Sequence, residues 1–482
     1  MKKVIINKLF LYRYRFLIGY ILLSLAFISL LLFLPLIVPN GLSKLEMQSS
    51  VNSYQISFHS FWAGDITDLP YRVLQKLSIL LFGLTPYSIK LPSIIIGLLL
   101  GVLLILLLNR WFKSNVALLA SILTVLSSAF LYLTGSGTPL IMYVFWPTLL
   151  LWLGSKIQGA KITKPFYCFS FAIILLLSIF TPYMIYLAAF IFLYAILNPH
   201  LRHTIKNLPK IPFIFTALLI LVGLVIFGIN LINYPTNLST IFASEQFSLG
   251  NFFNNIKLSL LPFFSWSGKV ESHFLAPLIG LATLALAVTG LISTTNGFFA
   301  SRNSIASYLI IYTLLISGFN PNCAVLLILP LSILVAHGFR YILEKWYGLF
   351  PANPYARIFG ILPIGIILGI IIISDLSYYV FGYRYNPPVA NNFHTDLALL
   401  HKNLQPGDTL LVGQDQTDFE FYKLLGIKNP QVSITQTLPK TTSTRLVTLG
   451  KPAVKPKKAH LNRIISSAKS QNSDRIYMYT VK

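Results

Sequence analysis

The chain is 482 residues long, 55% hydrophobic and only 10% charged, with a mean hydropathy of +0.72. Soluble domains carry about 25% charged residues, so a soluble globular class is excluded and a polytopic membrane protein is expected. The formal net charge of +24 comes from 37 Lys+Arg against 13 Asp+Glu. In a membrane protein such an excess anchors cytoplasmic loops to anionic lipid, and without a basic-aromatic RNA motif it does not imply a nucleic-acid partner.

The first apolar span is expected at about Phe16–Val38, behind a basic flank of Lys2, Lys3, Lys8, Arg13 and Arg15 that places the N-terminus in the cytoplasm. Its apolar run is too long for a signal-peptide h-region and lacks a small-residue cleavage site, so it reads as a retained span. A polar outer loop, residues 39–92, follows. Span two is about Ile89–Leu108, Arg110 and Lys113 mark a cytoplasmic turn, and span three is about Val116–Leu133. The TGSGT stretch turns outside into span four, which runs to about Leu153, before the inner Lys156, Lys161 and Lys164.

The apolar block Phe166–Leu197 has basic flanks at both ends, so it must cross twice. Pro182 supplies the break, because proline lacks the amide donor. Span seven is about Ile211–Ile232. A second outer loop, residues 233–273, carries Glu245, Lys257, Lys269 and Glu271, and its FFNNIKLSLLPFFSW stretch reads as an interfacial helix with Trp266 at the headgroups. Span eight is about Phe274–Ile292, spans nine and ten flank GFNPN, and span eleven is about Ile358–Val380. About eleven spans place the C-terminus outside.

From residue 383 the composition changes. Strand patterns at Asp408–Gly413, Arg445–Gly450 and Arg475–Val481, with a helical DFEFYKLLG between the first two, predict a small α/β domain over residues 383–482, following a transmembrane module over 1–382. The run Lys455, Lys457 and Lys458 reads as a solvated loop. Cys168 and Cys323 lie at or inside apolar spans with no metal-ligand spacing, and the histidines form no HExxH pattern.

Outside the tail there are seven acids: Glu46, Asp65, Asp68, Glu245, Glu271, Glu344 and Asp375. All but Glu344 are expected in outer loops or near outer span ends, with none in mid-span. A proton- or ion-coupled transporter needs intramembrane ionisable groups, so this distribution favours chemistry at the outer bilayer surface.

The stretch DLPYRVLQKLSILLFGLTPYSIKLPS, the basic turn Arg110-Trp111-Phe112-Lys113 and the NVALLAS start of span three resemble the core of the polyprenyl-phosphate-sugar-dependent GT-C glycosyltransferases. The resemblance is to the group containing dolichyl-phosphate-mannose protein mannosyltransferases and the lipid-A aminoarabinose transferase. Asp68-Leu69-Pro70 stands at that family's HPP-like segment, Leu81-Phe82-Gly83 at its LFG, and Lys90-Leu91-Pro92-Ser93 at its RLPS. The similarity covers about residues 16–200 and continues more vaguely to about 343. The family's acidic pair is reduced here to Leu45-Glu46, Gly135–Tyr143 carries no charge, and no arginine stands near Asn322-Cys323.

The resemblance implies an inverting transfer of a sugar from a polyprenyl-phosphate donor to a protein, lipid or glycan acceptor. The acceptor must lose a proton, so a carboxylate within reach acts as general base, and the leaving phosphate needs positive charge or a metal. Glu46 is the candidate base. Asp65 and Asp68 orient the acceptor, bind a divalent ion, or merely cap the helix that follows. Arg72, Lys76 and Lys90 are candidates to hold the lipid phosphate, against interfacial snorkelling. No cofactor is required apart from that optional metal. The expected location is the plasma membrane, multi-pass, with the C-terminal domain extracytoplasmic. A flippase of lipid-linked sugars and a catalytically degenerate scaffold in envelope assembly are the rival readings.

Overall fold

The computed structural model describes residues 14–481, apart from 58–61, 63, 160–163, 207, 209, 243–247, 266–269, 272–273, 296–300, 350–353, 414, 429–430, 438–444, 450–458 and 467–474. Lys161, Glu245, Trp266, Lys269, Lys455, Lys457 and Lys458 lie outside the described residues.

The first elements are α1 (Arg15–Ile37), β1 (Leu42–Ser43), α2 (Lys44–Gln55), α3 (Leu69–Phe82) and α4 (Pro86–Leu108). Where one span is expected over Val116–Leu133 there are two helices, α5 (Ser114–Val125) and α6 (Ser128–Gly135), bent by 63°. The bend sits at Ser127, which leaves helical geometry and caps the second helix. After α7 (Met142–Gly159) come α8 (Lys164–Ile179) and α9 (Met184–Leu197). The break expected at Pro182 lies between them, with Tyr183 at a φ of 64°. Then follow α10 (Pro199–Lys206), α11 (Lys210–Asn233), α12 (Thr236–Phe242), α13 (Leu249–Phe264), the hairpin β2 (Val270–Glu271) and β3 (Phe274–Leu275), α14 (Leu281–Thr295), α15 (Ser301–Phe319), α16 (Ile328–Leu349) and α17 (Pro354–Tyr385).

Among the described residues six helices are long and apolar enough to cross a membrane, or seven if α5 and α6 form one broken span, and four shorter helices are also apolar. One other helix has an inverted pattern. In α3, Val73, Leu74, Leu77, Leu80, Leu81 and Phe82 are exposed while Gln75 and Ser78 are buried. A helix that turns its apolar side outward and its polar side inward belongs at the membrane interface. One expectation about the acids fails. Asp375 is not at a span end but well inside Leu362–Tyr385, buried beside Gly280 and Thr283 where α14 begins. Periodicity alone does not show that α17 runs unbroken through this level.

The tail comprises α18 (Pro387–Ala390), β4 (Phe393–His394), α19 (Asp396–Asn403), β5 (Thr409–Leu411), α20 (Gln416–Lys428), β6 (Ser433–Thr435), β7 (Arg445–Leu449), β8 (Ala459–Ile465) and β9 (Ile476–Val481). Its five-stranded sheet has the order β6-β5-β7-β9-β8, parallel from β6 to β7 and antiparallel across β9. Among the described residues the sheet shares its hydrophobic core. Leu42, Met47, Val51, Ile79, Leu84 and Ile89 of α4 and the loop before it pack in one cluster with Leu397, Leu410, Phe421, Tyr422 and Val447 of the tail. Three polar contacts add to this: β1 pairs antiparallel with β4, Lys44 lies 2.6 Å from Asp415, and His401 is bonded to the Leu84 carbonyl at 2.6 Å. Gly41 permits the approach. It has a φ of 117°, and a Cβ there would lie 2.4 Å from the His394 carbonyl oxygen.

Gln75 is fully buried and uses its whole amide. Its Oε1 accepts from Ser49 and Ser53 of α2 at 2.9 and 2.7 Å, and its Nε2 donates to the carbonyls of Ile89 and Gly137 at 3.0 and 2.9 Å. One side chain thus ties α2, α3, α4 and the TGSGT turn together. Gln75→Leu leaves two hydroxyls and two carbonyls without their partner, and each buried unsatisfied group costs about 1–3 kcal/mol. The variant should lower the thermal unfolding midpoint in detergent substantially, while an exposed change on the same helix, Leu74→Ala, should not.

Candidate active site

Glu46 and Lys90 are brought together, although 44 positions separate them in the chain. Glu46 stands at the third position of α2 and forms a capping box with Ser43: its Oε2 accepts from the Ser43 N–H at 2.7 Å, and the Ser43 hydroxyl accepts from the Glu46 N–H. Its Oε1 accepts from the Gly137 N–H at 2.7 Å. The carboxylate is 1% exposed. Both oxygens therefore serve backbone donors, one in its own loop and one in the TGSGT turn. Gly137 must be small here, since a Cβ would lie 2.7 Å from the Ile89 side chain.

Lys90 projects from the first turns of α4 and is 1% exposed. Its ammonium has three donors. It makes long bonds to the carbonyls of Pro35 and Pro39, at 3.4 and 3.2 Å, and lies 4.0 Å from Glu46 Oε1. A buried cation costs several kcal/mol in desolvation unless short bonds offset it, and these are not short. Lys90 also lines a cavity of about 250 Å³ between the end of α1, the start of α4 and the tail, together with Pro35, Asn40, Thr85, Tyr87 and Thr395.

Asp65, Asp68 and Arg72 form a second group at the start of α3. Arg72 donates to Asp65 Oδ2 at 2.7 Å, and the Thr67 N–H donates to Oδ1 at 2.9 Å. Burial raises the Asp65 pKa, but Arg72 and Thr67 outweigh it and hold the carboxyl below its ordinary value. Asp68 occupies the position before α3, with a φ of 53°, yet its side chain makes no capping bond. Its N–H donates to the Phe180 carbonyl at 2.8 Å and its carboxylate bonds Thr181, which in turn accepts from Trp146 at 2.9 Å. The Asp68 Oδ1 is buried without a hydrogen-bond partner. Burial pushes this carboxyl up to about 7, against the pull of Arg72. Glu46 and Asp68 both act electrostatically on the Tyr71 hydroxyl, which bonds Ser93 at 2.7 Å.

Lys76 is not drawn into either group. Its ammonium bonds the Ile56 carbonyl and lies 5.9 Å from the centre of the Tyr54 ring. The donor set for a divalent ion is also poor. Asp65 is spent on Arg72 and Thr67, and among the described residues no three His, Cys, Asp or Glu side chains gather closely enough to hold a metal.

The residues missed in the sequence are Gln75, Thr181, Trp146 and Thr395, none of which carries a local signal. The role of Glu46 did carry one: Ser43-Lys44-Leu45-Glu46 is an S-x-x-E capping box.

Residues 71–229 match the model of the dolichyl-phosphate-mannose-protein mannosyltransferase family, about a third of the chain. No curated protein matches. The chain superposes on ArnT from Cupriavidus metallidurans bound to undecaprenyl phosphate with a TM-score of 0.56 and 12% identity, covering 96% of this chain and 98% of that one. The apo form of the same ArnT gives 0.55 and 14%, with the same coverage. The chain therefore shares the fold of this ArnT along nearly its whole length. The apo oligosaccharyltransferase of Archaeoglobus fulgidus also shares it, with a TM-score of 0.50 and 11% identity, over 83% of this chain and 63% of that one. In this chain the loop between α1 and α4, α3 within it and the TGSGT turn are held as one unit by Glu46 and Gln75.

Glu46→Gln keeps one acceptor oxygen where two backbone N–H groups need one each. The change should therefore destabilise the protein by about 1–3 kcal/mol, read as a lower unfolding midpoint. Glu46→Asp, too short to span both donors, should do the same.

Proposed function

We propose that the chain is a multi-pass membrane glycosyltransferase that moves a sugar from a polyprenyl-phosphate carrier to a protein, lipid or glycan acceptor on the outer face of the membrane. The observation that carries this reading is Lys90: a buried, poorly satisfied ammonium in a cavity between the outer ends of two membrane helices, within a fold shared with an ArnT bound to undecaprenyl phosphate. A lipid phosphate there would supply the short, charge-assisted bonds the lysine lacks. The prenyl chain would leave along α1 and α4, whose outward surfaces are apolar.

In this reading the acceptor hydroxyl or amine attacks the anomeric carbon, a new C–O or C–N bond forms, and the bond from that carbon to the phosphate oxygen breaks. The electron pair leaves on the polyprenyl phosphate, next to Lys90, and the acceptor proton passes to a carboxylate. We assign that role to Asp68 rather than Glu46. Glu46 has committed both oxygens to backbone donors, whereas Asp68 has a buried oxygen free and titrates close to neutral pH, where a general base is most effective. Arg72 and Asp65 position it, and Glu46 sets the loop and faces Lys90.

The same reading places residues 1–382 in the membrane module and residues 383–482 outside, with the N-terminus cytoplasmic. The six long helices, the broken α5–α6 span and the four shorter apolar helices support eleven crossings.

Sugar transfer should be measured in proteoliposomes with labelled polyprenyl-phosphate sugars and an envelope acceptor fraction. Asp68→Asn should lower the rate at least about a hundredfold. Because Asp68 works deprotonated and its pKa is raised to about 7, wild-type transfer should fall about tenfold per pH unit below that value. The unfolded carboxyl titrates lower, so the fold binds the extra proton, and this contribution to stability is lost as pH rises through 7. Asp68→Asn should therefore keep or raise the unfolding midpoint at pH 8. Full transfer by Asp68→Asn would remove Asp68 as base, and no transfer by folded wild type with any donor would favour the scaffold or flippase.

A further inference from the structure

We infer that the tail reads the sugar of the lipid-linked donor, through Thr395 at the start of α19. This rests on the placement of the lipid phosphate at Lys90 proposed above. The cavity that Lys90 lines is closed on its other side by the tail, at His394, Thr395 and Ala398. Thr395 is nine-tenths buried, and its hydroxyl has no hydrogen-bond partner. That is unusual for its position. Thr395 is the residue before the first turn of α19, where a threonine hydroxyl ordinarily accepts a helix N–H, yet it makes no such bond. A buried hydroxyl without a partner is destabilising, and a ligand hydroxyl in the cavity would offset that cost.

The geometry assigns the two walls to different parts of one ligand. Lys90 sits on α4 beside the end of α1, at the level where two membrane helices emerge. A phosphate held there with its prenyl chain in the bilayer points its other substituent away from the membrane, toward the tail. That substituent is the sugar, and it meets the Thr395 hydroxyl and the Asn40 amide, with no carboxylate among the lining residues. Neutral donors and acceptors suit sugar hydroxyls. The tail is held for this purpose by the β1–β4 pair, whose register sets Leu42 against His394. Thr395 would thus be a specificity-determining residue supplied from the far end of the chain.

The experiment compares binding of two probes to the full-length protein in neutral-lipid nanodiscs: undecaprenyl phosphate, and a panel of undecaprenyl-phosphate hexoses and pentoses. Wild type should bind at least one sugar-bearing lipid more tightly than the bare phosphate. Thr395→Val removes only the hydroxyl and leaves no new buried polar group, so the fold should be kept. It should erase that preference, weakening the preferred sugar lipid about tenfold while leaving undecaprenyl phosphate unchanged, and Thr395→Ser should restore it. An unchanged preference in Thr395→Val, or equal weakening of both probes, overturns the inference while the donor reading stands. Equal binding of bare and sugar-bearing lipids by wild type also overturns it. Binding of neither class by folded wild type overturns the inference and the donor reading together.

Discussion

The packing of the tail side of this protein depends on one short turn. Gly137 offers its N–H to Glu46 and its carbonyl to Gln75, both within a hydrogen bond's length and both buried. Polar groups in a membrane module have little water to turn to, so each must find a partner in the protein. Gly137 and its two partners lie on three separated stretches of chain. Satisfying them fixes the loop between α1 and α4 on α4 and leaves the apolar side of α3 exposed. Lys90, next to Ile89 in the chain and 4.0 Å from Glu46 Oε1, is then left at the edge of a cavity with only long bonds.

The two carboxylates near Tyr71 show how environment divides roles between chemically similar groups. Glu46 is ringed by backbone donors that occupy its oxygens, and Arg72 holds Asp65 below its ordinary value. Asp68 lies in a pocket made by Thr181, with one oxygen unserved, and burial holds its proton. A group that is structurally saturated is a poor base, and a group kept near neutrality is a good one.

The tail is better regarded as continuous with the loop between α1 and α4 than as an appendage. It shares one hydrophobic cluster with α2, α3 and α4, and β4 completes a strand pair with β1. The Lys44–Asp415 pair on the same seam is largely exposed, at 59% and 40%, and contributes little beside that cluster. Apolar burial therefore holds the two parts together, and the β1–β4 pair sets their register.

Much of the architecture was legible in the chain itself. Runs such as Pro86–Leu108 and Pro212–Asn233 are apolar on every face, which is sufficient to name a membrane helix, and the break at Pro182 follows from a missing amide. The acids and bases of the loop could likewise be named as candidates, since few charges interrupt the apolar sequence. What each one does could not. Lys76 looks equivalent to Lys90 in sequence, yet one rests on a loop carbonyl and a tyrosine ring while the other lines a cavity. Asp68 looks like a helix cap, yet it turns to Thr181, more than a hundred positions away. Composition and periodicity are sums over neighbours in the chain and so determine segments. The protonation, pairing and exposure of a single polar side chain are set by partners from distant segments, and only the tertiary structure brings those together.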